Sequence, residues 1–445
     1  MARQLFGTDG VRGRAGDFLT ADLALRLGRA AVDHIATEHP QVLIVRDTRE
    51  SGDMLEAAIA AGITAAGGDV LLAGVLPTPA APLLLKRHGL QMAVVISASH
   101  NPYEDNGIKL FGSDGFKLDD DTEHAIEAEL DKPVGSPKRI GSVRRFHGAL
   151  EDYVRELHVR FAGLEPIGRR ILLDCANGAT YRAAPEIFRR LGAEVDVIAD
   201  SPDGRNINHG CGSTHLGQVM ERVREGSYDM AFAFDGDGDR VLAVDRDSTV
   251  VDGDELIALA AVHMRERGGL PGNGVAVTVM TNYGFHTAMQ AAGLEVATTS
   301  VGDRYVLDEL KKRGWALGGE QSGHIIELGF SPSGDGIASA LLTVEALGER
   351  DLRDRDAMQK LPQRLVNIRA GDRGALKTAL DAAPVQEAIE REQSALDGRG
   401  RVLVRASGTE PLVRVMVEAP SQQETDDVCA RLTAAVKQVL AGIAA

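Results

Sequence analysis

The strongest constraint on the fold is a theme that the chain states three times and then drops. Short β-branched runs alternate with longer, alanine-rich stretches of helical period. That alternation marks α/β units, whose strands are joined through crossover helices. In the first pass 41–46 (QVLIVR), 69–73 (DVLLA) and 92–96 (MAVVI) read as buried strands, with helices over 54–66 and 80–88 closed by Gly67 and Gly89. The second pass places strands at 170–174, 193–198 and 229–234, with helices at 183–191 and 216–225. The third places strands at 274–279, 294–298 and 315–317, with helices at 283–292 and 303–313. The last stretch differs. Strands at 365–369, 401–405 and 412–417 with helices at 376–390 and 422–439 predict a small α+β domain.

Three cassettes of similar size imply a structural triplication. At ~100–200 residues per domain, a chain of 445 residues suits three or four domains. The Pro- and Gly-punctuated stretch 132–142 and the charged stretch 348–356, leading to Pro362, read as linkers. Hydrophobic residues make up 44% and charged ones 26%, which excludes a wholly disordered chain. No apolar run approaches the ~18–20 residues of a membrane helix, and the opening residues lack the apolar stretch of a secretory signal. Cysteines 175, 211 and 429 form neither a disulfide framework nor a zinc spacing, so a reducing, cytoplasmic location is expected. Asp and Glu number 65 against 49 Lys and Arg, a net charge of −16. That excess argues against nucleic acid as a main partner, and a phosphorylated substrate would need a local cationic patch.

Four loops carry candidate chemistry. Ser97-Ala98-Ser99-His100-Asn101-Pro102 follows the strand 92–96, where α/β folds gather ligands. Ser99 there could be a nucleophile, although the segment alone reads equally as an Asn-Pro turn. A hydrolase elbow is excluded, because no Gly-x-Ser-x-Gly surrounds it. Asp235-Gly236-Asp237-Gly238-Asp239-Arg240 follows the strand 229–234. Its three carboxylates could close around one hard cation, Mg²⁺ or Ca²⁺. It is not an EF-hand, since the required Gly and Glu positions hold Arg240 and Arg246. Two carboxylates ~4 Å apart repel by about 4 kcal/mol at an effective dielectric of ~20, so a solvated acidic turn is the costlier alternative.

The third loop is Gly319-Glu320-Gln321-Ser322-Gly323-His324. If extended, it would present Glu320 and Ser322 on one side, an acceptor and a hydroxyl suited to a sugar. The fourth is Arg405-Ala406-Ser407-Gly408-Thr409-Glu410-Pro411, with Arg414 on the following strand. It suits a phosphate cradle but lacks the Walker pattern, and a hairpin turn with surface arginines is the alternative. Lys109, ten residues past Ser99, could return toward it, and Arg12 lies in a glycine-punctuated loop. Each of these two, taken alone, reads as a solvated charge.

Together the motifs SASHNP, DGDGDR, GEQSGH and RASGTEP, in that order, resemble the α-D-phosphohexomutase superfamily over essentially the whole chain. The opening LFGTDGVRG, the Ser97-Ala98 pair and Gln321 look like its phosphoglucosamine mutase branch. The resemblance implies three similar mixed α/β domains plus a C-terminal α+β, TATA-binding-protein-like domain around a central cleft. The divisions expected are 1–145 with the phosphoserine loop, 146–252 with the metal loop, 253–363 with the sugar loop and 364–445 with the phosphate loop.

By position, the resemblance makes Ser99 the phosphoserine. It makes Asp235, Asp237 and Asp239 the ligands of one Mg²⁺, completed by a phosphate oxygen on Ser99. Glu320 and Ser322 would read sugar hydroxyls, and Arg405, Ser407, Gly408, Thr409 and Arg414 would hold the non-reacting phosphate. Lys109, Arg12 and Arg240 would stabilise the transferring group, and the general base would be His324 or Lys109. The implied activity interconverts glucosamine 6-phosphate and glucosamine 1-phosphate, feeding UDP-N-acetylglucosamine synthesis, with glucosamine or glucose 1,6-bisphosphate as the priming intermediate. Small hexosamine phosphates are then the partners. Rival readings are a phosphomannomutase/phosphoglucomutase and a non-catalytic sugar-phosphate sensor. The sequence leaves monomer and homodimer both open.

Overall fold

The computed structural model describes residues 5–7, 9–132, 139–370, 373–406 and 412–444. Its first sheet has seven strands in the order Phe6–Gly7, Gly10–Arg14, Asp105–Gly112, Met92–Ile96, Gln41–Arg46, Asp69–Val75 and Val143–Arg145. The strands 41–46, 69–75 and 92–96 run parallel, whereas Asp105–Gly112 returns antiparallel to Met92–Ile96. Val42, Ile44, Val94, Ile96 and Ile108 form a core with Leu27, Ile59 and Ile63 from the helices Ala21–Asp33 and Ser51–Ala65. Burial of such side chains, ~1.5–3 kcal/mol each, is what fixes the sheet.

The second sheet has five strands, in the order Val250–Val251, Val241–Asp245, Met230–Phe234, Arg170–Asp174 and Glu194–Ile198. The third has four, in the order Glu295–Thr299, Gly274–Thr278, Leu317–Gly319 and Ile325–Glu327. All three sheets share one device. A buried strand that runs parallel to its neighbour is followed by an antiparallel partner, and the connection between them is a candidate loop. The connection after Met92–Ile96 carries Ser99, that after Met230–Phe234 carries the three aspartates, and that after Leu317–Gly319 carries Glu320 and His324. The triplication is therefore topological.

The chain divides into two compact units, Met1–Val279 with Glu295–Arg355, and Met280–Leu294 with Asp356–Ala445. The second contains an antiparallel sheet ordered Gln363–Arg369, Leu412–Glu418 and Arg401–Ala406, backed by helices. This is the expected α+β element. The single helix expected at 376–390 is two, Arg373–Asp381 and Ala383–Leu396. Pro384 sits in the first turn of the second, where a residue without an N–H can begin a helix but not continue one. The strand expected at 315–317 begins at Leu317, because its pairing starts with Leu317 opposite Val275. The stretch 348–356 is not a free linker: Leu352–Asp354 is a 3₁₀ turn, and Arg355 is paired with Asp245 and Glu255. Among the described residues no helix is long and apolar enough to cross a membrane.

Candidate active site

Ser99 is buried, and its Oγ donates to Asp235 Oδ2 at 2.5 Å. The two residues are 136 positions apart and come from the first and second sheets. The local sequence makes this approach feasible. A Cβ on Gly236 would lie 2.6 Å from the Ser99 carbonyl oxygen, and Gly238 has a φ of +73° and would strike Thr180. Only glycine lets the aspartate loop pass this close to the serine loop.

Asp235, Asp237 and Asp239 are all buried, and one oxygen from each lies within 4.8 Å of the others. Asp237 Oδ1 and Asp239 Oδ1 are buried without a hydrogen-bond partner. Orphaned carboxylate oxygens are costly in a protein interior, and three converging hard donors suit a divalent ion such as Mg²⁺. Burial, then repulsion from Asp239 and Asp237, hold the Asp235 pKa well above the ordinary value. Burial also opposes ionisation of Asp239. There His324, Lys109 and Arg240 outweigh it and keep the pKa well below normal.

Lys109 lies on the strand that returns beside Met92–Ile96, opposite Val95. Its Nζ is 3.0 Å from Asp237 Oδ2, 3.1 Å from Asp9 Oδ2 and 3.8 Å from Asp239 Oδ2. Burial lowers its pKa, but Asp237, Asp9 and Asp239 prevail and raise it. Lys109 is therefore a fixed cation facing the triad, and of the two base candidates it is the one the geometry disfavours. His324 Nδ1 is 3.5 Å from Asp239 Oδ2, while the Gly334 N–H donates to Nε2 at 3.2 Å. Burial lowers the His324 pKa, yet Asp239 and then Asp303 raise it above the usual imidazole value.

Arg240 Nη1 lies 3.2 Å from His100 Nδ1, and the Arg240 backbone bridges to His324. Arg12 pairs with Asp9. Glu320 Oε1 accepts the Gly302 N–H at 3.0 Å, whereas Ser322 is exposed. The loop is not extended as expected. The Gly323 N–H donates to the Glu320 carbonyl, closing a tight turn in which Gly323 takes a φ of +89°. The i,i+2 rule for side-chain direction does not hold in such a turn. In the second unit Arg405 and Arg414 are directly opposite each other in an antiparallel pair, with Asn367 opposite Arg414 on the other side. Like charges so placed repel, and an anion between them would remove that cost. Ser407, Gly408 and Thr409 lie outside the described residues.

Domain-family models described as "Phosphoglucomutase/phosphomannomutase, alpha/beta/alpha domain" I, II and III match residues 3–134, 151–249 and 252–365, and the corresponding C-terminal domain matches 365–435. The phosphoglucosamine mutase of Moorella thermoacetica is 49% identical over 441 residues, spanning 96% of this chain and 98% of the relative. The chain belongs to the α-D-phosphohexomutase superfamily. As a phosphohexomutase it is an isomerase. The phosphoglucosamine mutase of Xanthomonas axonopodis pv. citri is 48% identical, over 98% of this chain and 99% of the relative. Among solved structures, a phosphoglucomutase/phosphomannomutase family protein from Burkholderia thailandensis has the same fold, with a TM-score of 0.80, 24% identity and 97% coverage of both chains. An Aspergillus fumigatus N-acetylphosphoglucosamine mutase, solved with GlcNAc-6P and magnesium, follows at a TM-score of 0.70 and 19% identity, covering 98% of this chain and 96% of its own.

Several members of this candidate site carry no signal of their own in the sequence. Asp9 joins Lys109, Lys117 and Arg12. Lys117 in turn meets Asp303 Oδ2 at 2.5 Å, and Asp303 lies 3.9 Å from His324 Nε2. Thr78 Oγ1 donates to Asp237 Oδ2 at 2.7 Å. Asp9 and His100 stand inside motifs already singled out, and that adjacency was their only signal. Nothing local distinguishes Thr78, Lys117 or Asp303 from surface polar residues, because their partners are remote in sequence.

Proposed function

We propose that this phosphohexomutase interconverts glucosamine 6-phosphate and glucosamine 1-phosphate, with Ser99 carrying the phosphoryl group. The observation that carries this reading is the Ser99 hydroxyl on Asp235, inside a buried triad that Lys109 faces. The amino sugar is favoured because relatives 49% and 48% identical over nearly the whole chain bear the name phosphoglucosamine mutase. We divide the chain at 1–145, 146–252, 253–363 and 364–445, with one candidate loop in each part. A cytoplasmic location fits the same reading.

Asp235, Asp237 and Asp239 would hold one Mg²⁺, which when bound neutralises and polarises the phosphoryl group on Ser99. In the first transfer the bond from phosphorus to Ser99 Oγ breaks, and a bond forms to the free sugar hydroxyl, giving a 1,6-bisphosphate. The sugar then turns round, the bond from its other phosphorus to the sugar oxygen breaks, a bond to Ser99 Oγ forms, and the sugar oxygen regains a proton as a free hydroxyl. Phosphoryl transfer asks for alignment and charge neutralisation more than covalent help. Lys109, Arg12 and Arg240 supply positive charge. We assign the proton of the attacking hydroxyl to His324, since three carboxylates keep Lys109 protonated. Glu320 and Ser322 would read sugar hydroxyls, and Arg405 and Arg414 would take the non-reacting phosphate, together with Ser407, Gly408 and Thr409.

A coupled assay comparing glucosamine, glucose and mannose 1-phosphates tests the assignment, alongside intact-mass analysis of Ser99. Preference for the glucosamine ester and a phosphoryl increment on the Ser99 peptide are expected. Preference for mannose or glucose esters would move the chain to the phosphomannomutase/phosphoglucomutase reading. A Ser99→Ala enzyme with parental activity would end the phosphoserine mechanism.

A further inference from the structure

The loop bearing Ser99 is held from beneath by a buried arginine. Arg49 stands just past the strand Gln41–Arg46 and is wholly inaccessible. Its Nε donates to Asp47 Oδ2 at 2.8 Å. One terminal nitrogen donates to the carbonyls of Ser99 and Asn101, each at 2.9 Å, and the other donates to the Pro102 carbonyl at 2.5 Å. A carboxylate and three loop carbonyls thus share one planar fork. From the second sheet's side, Asn208 Nδ2 also donates to Ser99 O at 2.9 Å and to Asn101 O at 3.2 Å.

The amide of Ser99 is held as firmly as its carbonyl. Ser99 N–H donates to Ser97 Oγ at 3.0 Å, and Ser97 Oγ donates to Asp47 Oδ2 at 2.6 Å. Asp47 therefore ties the arginine to the serine pair. Between these two anchors Ser99 adopts a φ of +52°, a left-handed conformation that a serine rarely takes unaided. In that conformation its Oγ reaches Asp235.

We propose that Arg49 is a positioning residue for phosphoryl transfer: it locks Ser99 in the left-handed backbone state that aims Oγ at the aspartate triad. The inference rests on the reading of Ser99 as phosphoryl carrier. Arg49 touches neither that hydroxyl nor the triad, so its effect must travel through the loop carbonyls. Lysine cannot replace it, because a single ammonium cannot reach four acceptors spread around a planar fork. Misplacing a reacting atom by ~1 Å can cost ~10²-fold in rate.

The test compares the parent with Arg49→Lys, Asn208→Ala and Ser99→Ala, each as the full chain with Mg²⁺. Kinetics use glucosamine 1-phosphate, and thermal melts monitor folding. Arg49→Lys should lower kcat by about a hundredfold while KM stays within about threefold, and Asn208→Ala should lower kcat by about tenfold. Magnesium affinity, measured on dephosphorylated protein, should match between Arg49→Lys and the parent, as Arg49 makes no contact with the triad. A role confined to stability would lower the melting temperature and leave kcat per folded enzyme unchanged. If Arg49→Lys does not fold, Asn208→Ala decides through the same split between kcat and KM. Parental kcat in the folded variants, with Ser99→Ala inactive, overturns the clamp alone. Parental activity in Ser99→Ala overturns the carrier reading and the clamp with it.

Discussion

Asp235 accepts a hydrogen bond from Ser99 while standing among two further buried carboxylates, and its own carboxyl is harder to ionise than an ordinary aspartate. The cause is burial first, then repulsion from Asp239 and Asp237. A carboxyl whose folded pKa is raised stabilises the fold fully below its unfolded pKa, and that contribution is lost as pH rises through the folded value. Metal-free protein should therefore lose stability from this group as pH rises, and a divalent ion should take the proton's place. Thermal melts with EDTA and with Mg²⁺ across pH 5–8 should show a Mg²⁺ stabilisation that grows with pH. Calorimetry in buffers of different ionisation enthalpy should detect proton release on Mg²⁺ uptake. A Mg²⁺ shift that is flat with pH would show that Asp235 does not exchange its proton for the ion in that range.

Lys109→Met should separate metal binding from catalysis. The substitution removes the cation shared by Asp9, Asp237 and Asp239. Breaking a buried pair by deleting one partner costs ~3–5 kcal/mol, so the melting temperature should fall. Loss of a preorganised positive charge should cut kcat by ~10²–10³. Magnesium should nevertheless bind more tightly, because a like charge beside its ligands has gone. Titration calorimetry and steady-state kinetics on one preparation check both signs. Weaker Mg²⁺ binding would show that the lysine orders the triad instead of competing with the ion.

Asp303→Asn probes the proposed base. Burial disfavours the charged form of His324, and Asp239 with Asp303 overcomes it. Removing one carboxylate lowers the imidazole pKa. A base must be neutral to act, so the acidic limb of the kcat profile should move to lower pH. An unmoved limb would assign the proton acceptor elsewhere.

Much of this architecture was legible because it is local. Strands at 41–46, 92–96 and 170–174 and helices at 80–88 and 303–313 coincide with their expected bounds, each being a short apolar or periodic run between glycines or polar breaks. The helix Gly336–Leu347 gave no such signal, since it is buried nearly all round and shows no polar face to mark its period. The antiparallel strands Asp105–Gly112, Val241–Asp245 and Ile325–Glu327 carry no comparable sequence signal, and they are the ones that convert each of the three motifs into a connection between neighbours. The aspartate triad was visible because its members are adjacent in sequence. The ion-pair chain Lys109–Asp9–Lys117–Asp303–His324 was not, because its links join residues up to 186 positions apart. Long-range pairs leave no periodicity behind.

Away from the reacting groups, Asp335 offers a stability prediction with a defined window. It caps the helix Gly336–Leu347 by accepting the Ala338 N–H at 2.9 Å, and Tyr153 Oη donates to both its oxygens at 3.0 and 3.1 Å. Burial pushes its pKa up to about 7, against the pull of those hydrogen bonds. The folded state thus holds this proton more tightly than the unfolded state does. Its contribution is complete below about pH 4 and disappears as pH rises through about 7, a difference on the order of 4 kcal/mol. Asp335→Asn keeps an acceptor for Ala338 and for Tyr153 but cannot titrate. Its stability relative to the parent, from urea denaturation, should therefore rise between pH 5 and 8. Tyr153→Phe removes a donor that favours the carboxylate, so it should push the same pH dependence to higher pH. If the stability difference between parent and Asp335→Asn stays constant across that range, Asp335 is ionised throughout and the burial argument for this helix cap is wrong.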